Sequence, residues 1–265
     1  MAELRFTILG CGSSGGVPRV GNIWGACDPS NPRNVRHRCS MLVERLDGDR
    51  ATRVLIDTTP DLRHQLLAAG IGVVDAVVYT HGHADHTHGI DDLRMVVFQL
   101  RHRLPVWADP ATQTSLIARF GYAFVQPDGS NYPPILDMHT IDGPVTVDGA
   151  AGAIALTPIE VEHGNIHALG FRIGDLVYMP DVSRIPDAAW PVLEGLDCWI
   201  VDALRYAPHP SHANLETALE WIARARPRRA VITNMHVDLD YQTVKAETPE
   251  NVLPAHDGMA ISYEV

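Results

Sequence analysis

Several residues on which common functions depend are scarce in this sequence. Lys245 is the only lysine, which excludes a Schiff-base lysine or the lysine of a phosphate-binding P-loop at any other position. Acidic residues outnumber basic ones, and the formal net charge is −11. Because binding to a nucleic-acid backbone relies on lysine and arginine, this balance argues against a nucleic-acid partner. It does not exclude the binding of one small phosphate group.

Cysteines and long apolar runs are also scarce. The chain has four cysteines, which are Cys11, Cys27, Cys39 and Cys198. None shares Cys-x-x-Cys spacing with another, which predicts reduced thiols in a cytoplasmic protein. The N-terminus has no apolar segment of the signal-peptide kind, and no apolar run is long enough to cross a membrane. We therefore expect a cytoplasmic protein without a membrane partner.

The composition is that of a globular protein. Hydrophobic residues make up 46% of the chain and charged residues 20%, which excludes a disordered or coiled-coil class. A length of 265 residues allows one large domain or two small ones. Because no stretch resembles a linker, we expect a single domain over residues 1–265.

Apolar and alternating segments predict a series of strands and helices. Strands are expected at 4–9, 40–46, 52–57, 77–79, 105–108, 152–161, 169–173, 176–179, 198–202, 229–233 and 259–265. Helices are expected at 60–69, 89–100, 110–120, 186–194 and 215–225. This interleaving predicts an α/β protein.

The stretch from Asp75 to Gly89 carries the strongest functional signal. An apolar segment of strand type runs into His81-Gly82-His83-Ala84-Asp85-His86. In an extended chain alternate residues project to one side, so His81, His83 and Asp85 are expected to converge, while His86 points elsewhere. That divergence suits two metal ions better than one. A solvated, histidine-rich turn is the alternative.

Two motifs carry a family resemblance. HGHADH after a strand resembles the HxHxDH motif of the metallo-β-lactamase-fold hydrolases. The opening LGCGSSGGVPR, residues 9–19, resembles the ribonuclease Z-related branch of that family, which includes phosphoribosyl 1,2-cyclic phosphate phosphodiesterase. The resemblance covers nearly the whole chain. It implies the αββα four-layer sandwich of that fold.

The resemblance also implies a binuclear site for two divalent metal ions, either zinc or manganese. The implied ligands are His81, His83, Asp85, His86, His163, Asp181 and His236. Asp181 takes the place of the family's bridging carboxylate. Relatives usually read Thr-His where this chain has Thr233 and Asn234. His236 is assigned because it lies two residues later, on the same side of an extended chain.

Further residues are candidates for catalysis and substrate binding. By resemblance, His212 contacts phosphate or donates a proton, although a lone histidine before a helix is more often a cap or surface residue. Asp85 is a catalytic candidate beside its ligand role, and Ser183 and His209 are substrate-binding candidates. Two interpretations of Asp57 stay open. It orients a ligand histidine, or it caps the helix that follows.

The segment from Trp24 to Cys39 departs from the relatives, which often carry a cysteine cluster there that holds a structural zinc. Only Cys27 and Cys39 remain, and Val237 stands at the position of their late histidine. We predict that no structural zinc is bound in this segment. Its basic residues, Arg33, Arg36, His37 and Arg38, form a solvated face or steer an anionic substrate.

Together these features predict a metal-dependent hydrolase. We expect a phosphodiesterase that cleaves a small cyclic or nucleotide-like phosphodiester with a metal-bridging hydroxide. The alternatives are ribonuclease Z-like tRNA processing, thioesterase or lactamase activity, and a non-catalytic accessory protein of cofactor biosynthesis. The expected partner is a small phosphorylated substrate. The oligomeric state is open, with a homodimer as one option.

Overall fold

The computed structural model describes residues 2–265. Within them, the strands are β1 (Glu3–Gly10), β2 (Ser40–Asp47), β3 (Arg50–Ile56), β4 (Ala76–Val78), β5 (Leu104–Ala108), β6 (Leu136–Thr140), β7 (Val145–Val147), β8 (Ile154–His163), β9 (Ile166–Ile173), β10 (Leu176–Met179), β11 (Cys198–Asp202), β12 (Arg229–Thr233), β13 (Val252–Pro254) and β14 (Ala260–Glu264). The α-helices are α1 (Leu62–Ala69), α2 (Ala84–Thr87), α3 (Leu93–Leu100), α4 (Pro110–Phe124), α5 (Leu215–Ala225) and α6 (Tyr241–Glu247).

The chain's internal contacts divide it into two compact units, each assembled from separate stretches. The first unit comprises residues 2–9, 40–155 and 260–265, and the second comprises residues 10–39 and 156–259. The expectation of a single domain over residues 1–265 stays a prediction. Among the described residues, no helix combines the length and the apolar character needed to span a membrane.

The first unit contains a mixed sheet with the strand order β14-β1-β2-β3-β4-β5-β6. Strands β2 and β3 form the predicted antiparallel hairpin, with Gly48 at a positive φ of 59° in the turn. Strands β3, β4, β5 and β6 then run parallel to one another. Because parallel strands end at the same edge, residues that follow β3 and β4 are brought together. Asp57 and Thr80 lie at this edge.

The second unit contains the strand order β13-β12-β11-β10-β9-β8. Strands β8, β9 and β10 pair antiparallel, whereas β10, β11, β12 and β13 run parallel. The parallel register aligns Met179 with Val201, and Asp202 with Thr233. Polar residues that end or follow these strands therefore share one edge of the sheet. These residues are Asp181, Asp202 and Asn234.

Most of the expected elements are present, with differences that have local causes. The expected helix at 89–100 starts as a 3-10 turn over Ile90–Asp92 and becomes α-helical only from Leu93. Residues 186–194 contain a 3-10 helix with Pro191 inside it, because proline cannot donate the backbone hydrogen bond that an α-helix requires there. Helix α6 was not expected, and Asp240 caps it through Gln242 N and Thr243 N.

The segment before Cys39 is anchored by a buried arginine. The Arg36 side chain is only 2% exposed, and Nη2 donates to Leu239 O at 2.7 Å and to Asn34 Oδ1 at 3.1 Å. Nη1 donates to His236 O at 3.3 Å. Cys27 packs beside Val237 in a small apolar cluster. Arg36 is therefore a structural tie between residues 27–39 and 236–240, and does not belong to a solvated basic face.

Gly89 holds the end of the histidine motif against the loop after β3. Its backbone N–H donates to Thr58 O at 2.9 Å, and Thr58 N donates to His86 O at 2.8 Å. A Cβ at position 89 would lie 1.9 Å from Thr59 O and 2.9 Å from Leu62 Cβ. The close approach of the two backbones therefore requires glycine at this position.

Substitution of this glycine tests the packing. We expect Gly89→Ala to lower the free energy of unfolding by about 1 to 3 kcal/mol, because one of the two backbones must move. Gly121→Ala is the matched control, since nothing lies within 4 Å of its Cβ position in α4 and alanine favours helix. Chemical denaturation measures both. Equal stability of the two variants would contradict the close packing at Gly89.

Candidate metal centre

The histidine motif of the first unit folds as a turn followed by one turn of helix. Helix α2 starts at Ala84, so Asp85 is helical and the extended-chain explanation for its convergence with His81 and His83 was wrong. The centroid of the His81 ring lies 4.3 Å from that of His86 and 4.6 Å from that of His83. His86 therefore faces the same cluster, contrary to the expectation that it points elsewhere.

Asp57 contacts this histidine cluster through the ring of His86. It is fully buried, and its Oδ2 lies 2.7 Å from His86 Nδ1 and accepts from Thr80 Oγ1 at 2.7 Å. Its Oδ1 accepts from Thr80 N at 2.8 Å. Burial raises the pKa of Asp57, and the His86 ring and these hydrogen bonds oppose that shift. The structure favours histidine orientation over helix capping, because the residue before α1 is Asp61.

The hydrogen bonds of the first unit determine which nitrogen of each ring carries the proton. A carboxylate only accepts, so His86 Nδ1 donates to Asp57 and its Nε2 carries the lone pair. Thr80 Oγ1 gives its proton to Asp57 and can accept from His81 Nδ1, which lies 3.0 Å away. Both histidines therefore present Nε2 as the metal-binding nitrogen.

The second unit contains a comparable group of donors. His163 at the end of β8, Asp181 after β10 and His212 before α5 offer ligand atoms that lie within 4.8 Å of one another. His163 Nδ1 lies 2.6 Å from Ser211 O, and His212 Nδ1 lies 2.8 Å from Asp202 Oδ2. In both rings Nδ1 faces an oxygen acceptor, which leaves Nε2 as the outward nitrogen, and His212 Nδ1 also lies 3.1 Å from Asn234 Nδ2.

Asp202 and Asn234 support this second group and were not expected from the sequence. Asp202 is fully buried, and burial raises its pKa while His212 opposes that shift. Asn234 Nδ2 donates to Asp202 Oδ1 at 3.1 Å and to Asp181 Oδ1 at 3.3 Å. Its backbone has a positive φ of 61°, which asparagine tolerates better than most residues. The sequence feature that could have indicated Asp202 is its position at the end of an apolar strand, which resembles the position of Asp57 after β3.

His236 has a different environment from the other histidines. Its Nε2 contacts Arg19 Nη2, and its Nδ1 lies 3.0 Å from Asp238 Oδ2. Burial lowers the pKa of His236, and Arg19 shifts it in the same direction. A guanidinium can only donate, so Nε2 is already used as an acceptor. The ligand role predicted for His236 stays a prediction, and Asn234 lies beside Asp181, with Nδ2 3.3 Å from Asp181 Oδ1.

Ser183 and His209, the two substrate-binding candidates, have different environments. Ser183 Oγ donates to Glu162 O at 3.0 Å and accepts from Gly164 N at 3.0 Å, which makes it a tie between backbone segments. His209 Nδ1 lies 3.2 Å from Ser211 Oγ. The His209 ring lies 5.2 Å from the ring of His212. His209 is therefore a neighbour of the donor group, whereas the hydroxyl of Ser183 is engaged by backbone.

The donor chemistry fits divalent cations. Each group combines imidazole nitrogen with carboxylate oxygen, and His81, His86, His163 and Asp181 are all at most 3% exposed. Zinc accepts such mixed nitrogen and oxygen donors, and manganese accepts the carboxylates. Buried carboxylates are also costly unless a cation or hydrogen-bond donors compensate them. The donor chemistry of these residues therefore suits divalent metal ions.

Comparison with known proteins identifies the family. The sequence model described as "Beta-lactamase superfamily domain" matches residues 52–235. This chain belongs to the β-lactamase superfamily. A solved diphosphatase of the PhnP family is 35% identical, covers 99% of this chain and 98% of its own, and superposes with a TM-score of 0.86. The family resemblance is thereby confirmed, in the branch that contains the PhnP family. The two mixed sheets with flanking helices confirm the predicted fold class.

Two further relatives carry names that differ from that of the diphosphatase. The curated octanoyltransferase of Porphyromonas gingivalis (strain ATCC BAA-308 / W83) is 31% identical over 264 residues, which are 97% of this chain and 51% of that protein. The chain thus spans about half the length of this relative. Zinc-bound PqqB from Methylobacterium extorquens is 18% identical, covers 97% of this chain and 99% of its own, and has a TM-score of 0.72. At that identity it shows the fold alone.

Asp57→Asn tests whether the buried carboxylate orients His86. Asparagine tolerates the positive φ of 65° at this position, but its NH₂ group would meet the donors on Thr80 and His86. We expect zinc affinity, measured by competition with a chromophoric chelator, to fall about 10- to 100-fold. Asp75→Asn is the control, because Asp75 Oδ2 accepts from Arg53 N at 2.7 Å and an amide oxygen can accept the same hydrogen bond. An unchanged affinity in Asp57→Asn would exclude the orienting role.

Proposed function

We propose that this superfamily member is a metal-dependent phosphodiesterase that hydrolyses a small cyclic or nucleotide-like phosphodiester. The similarity to a diphosphatase of the PhnP family supports the phosphoryl substrate, and one observation carries the metal dependence. His81, His86, His163 and His212 each place Nδ1 against an oxygen acceptor at 2.6–3.0 Å, and so each presents Nε2. Surface histidines have no need of such uniform orientation, whereas metal-binding histidines depend on it.

The residues proposed to hold two divalent ions are His81, His83, Asp85, His86, His163 and Asp181. Asp85 Oδ2 lies 3.6 Å from His86 Nε2 in the first unit, and Asp181 Oδ1 lies 3.9 Å from His163 Nε2 in the second. Carboxylate beside imidazole is the donor mixture described above. When bound, such cations lower the pKa of water and offset negative charge on phosphoryl oxygens.

His212 is proposed to act on the leaving group. Asp202 accepts from its Nδ1 and stabilises the doubly protonated ring, in which Nε2–H can transfer its proton to the leaving alkoxide. Asn234 holds the Asp202 carboxylate in place from its other oxygen. The same ring belongs to the donor group with His163 and Asp181, so the alternative role is that of a metal ligand.

Leaving-group dependence separates the two roles of His212. We expect His212→Ala to slow hydrolysis of a 2′,3′-cyclic nucleotide, which has an alkoxide leaving group, by about 10²- to 10⁴-fold. Bis(p-nitrophenyl) phosphate needs little protonation of its leaving group and should lose much less. Metal content, measured by emission spectrometry, should not change. Equal losses on both substrates together with a lower metal content would assign His212 as a ligand.

A substrate panel tests the proposed reaction as a whole. Protein purified without chelator and loaded with zinc or manganese would be offered bis(p-nitrophenyl) phosphate, a 2′,3′-cyclic nucleotide, a β-lactam, a glutathione thioester, an octanoyl thioester and precursor tRNA. We expect turnover of the phosphodiesters, and a loss of more than about 100-fold in His83→Ala. His102→Ala is the matched control, since this histidine is exposed and its Nδ1 lies 2.8 Å from Arg103 O.

The other members of the panel represent the competing functions. The octanoyl thioester is included because the octanoyltransferase relative is twice as long as this chain, so its named activity can reside in either half. Turnover of the thioester, the lactam or the tRNA in place of the phosphodiesters would overturn the proposal. Inactivity on every substrate at full metal loading would favour a non-catalytic accessory role.

A further inference from the structure

Exposed aromatic side chains are few in this protein, and most of them line one pocket. Among residues 2–265, the exposed aromatic side chains of the Phe, Tyr and Trp types are Phe98, Tyr122, Tyr132 and Tyr206. The first three, which are 63%, 42% and 76% exposed, line a cavity of about 310 Å³ in the first unit. That volume falls within the range of small-molecule sites, about 300 to 1,000 Å³. Large apolar side chains left open to solvent around one cavity indicate a ligand site.

The walls of this pocket come from α3, α4 and the loop that follows α4. Phe98 belongs to α3 and Tyr122 to α4, whereas Tyr132 lies in the loop. Hydrogen bonds order this loop, since Ser130 N donates to Pro127 O at 3.0 Å and Tyr132 N donates to Ser130 Oγ at 3.1 Å. The backbone that carries the three rings is therefore already in place in the unbound protein, which lowers the entropic cost of binding.

The charges at the pocket offset each other. Arg94 is the one charged residue among those that line it, and its Nη2 donates to Asp91 Oδ1 at 2.8 Å. Tyr122 Oη donates to the same oxygen at 3.1 Å. Because the guanidinium already has a carboxylate partner, the pocket complements a neutral group better than a phosphate or a charged peptide.

Helix α4, which forms one wall of the pocket, also contacts the segment of the histidine motif. Arg119 Nη1 donates to Gly82 O at 2.5 Å. The ring of Phe120 lies 5.4 Å from that of His88, between centroids, with the two rings edge to face. Tyr122 follows these two residues in the same helix. A ligand in the pocket therefore lies against the helix that packs on the HGHADH segment.

We propose that the pocket lined by Phe98, Tyr122, Tyr132 and Arg94 binds a flat, uncharged heteroaromatic ring, namely the base of a nucleotide. Aromatic side chains stack on the face of a base, and every base has such a face. A guanidinium plane stacks on bases in the same way. The inference deepens the proposed function, and it rests on that function for the phosphodiester to which the base is attached.

A pair of ligands that differ only in the base tests the pocket. Adenosine 5′-monophosphate and ribose 5-phosphate carry the same phosphate, and calorimetric titration of the metal-loaded protein measures the Kd of each. We expect the nucleotide to bind about 10- to 100-fold more tightly, as expected for stacking of a base on aromatic side chains. Tyr132→Ala and Phe98→Ala should each lose most of this difference. Equal affinity of the unmodified protein for the two ligands, or an undiminished difference in both variants, would overturn the proposal.

Tyr206→Ala is the matched control, because Tyr206 is the fourth exposed aromatic residue and lies in the second unit. It should keep the full difference between the two ligands. Tyr132→Phe should also keep it, whereas Tyr132→Leu should lose it, since leucine supplies apolar area without a ring that stacks. A loss in Tyr206→Ala as large as that in Tyr132→Ala, or full retention in Tyr132→Leu, would reject base stacking in this pocket.

A second copy of this chain is the competing occupant of the pocket, and analytical ultracentrifugation of the same variants tests it. We expect Phe98→Ala and Tyr132→Ala to keep the oligomeric state of the unmodified protein. Conversion of a dimer to a monomer by these substitutions would place the rings in a subunit interface and refute the base site. The titrations involve no hydrolysis, so inactivity on the substrate panel would reject the proposed function and leave the pocket to be decided by binding.

Discussion

The candidate metal centre depends on acceptors buried behind the histidine rings. Asp57 behind His86 is the clearest case, since its carboxylate is fully buried and takes three hydrogen bonds from two residues. An imidazole that rotated or changed its protonated nitrogen would break this arrangement. The acceptor therefore fixes both the direction of the ring and the nitrogen that is available to a metal ion. Asp202 orients the ring of His212 in the same way in the second unit.

The fold explains why such acceptors can be buried at all. Asp57 follows β3 and Thr80 follows β4, two parallel strands that end together, and Asp202 ends β11 between β10 and β12. Backbone N–H groups that the sheet no longer uses are available there, as Thr80 N and Val182 N show by donating to Asp57 and Asp202. Each buried carboxylate thus obtains donors from the strand ends themselves, which offsets part of its desolvation.

The sequence predicted the elements and residue types better than the local geometry. Strand-terminal His81, His163 and Asp181 could be located because apolar strand segments run directly into them. The convergence of the HGHADH motif was expected from an extended chain, but α2 begins at Ala84 and turns His86 toward His81. A one-turn helix has too few residues to leave a periodic pattern. It forms because backbone contacts from Thr58 hold both its end and Gly89, and such contacts are not visible in a sequence.

His236 shows the limit of reasoning from residue type and spacing. Its distance from Thr233 suggested a ligand, and an imidazole is a suitable donor wherever its nitrogen is accessible. Its partner Arg19 lies 217 positions away in the chain, and that partner determines what the ring can bind. With oxygen acceptors on Nδ1, as in His86 and His163, a ring is prepared for a cation. With a guanidinium against Nε2, as in His236, the lone pair that a metal would use faces a hydrogen-bond donor instead.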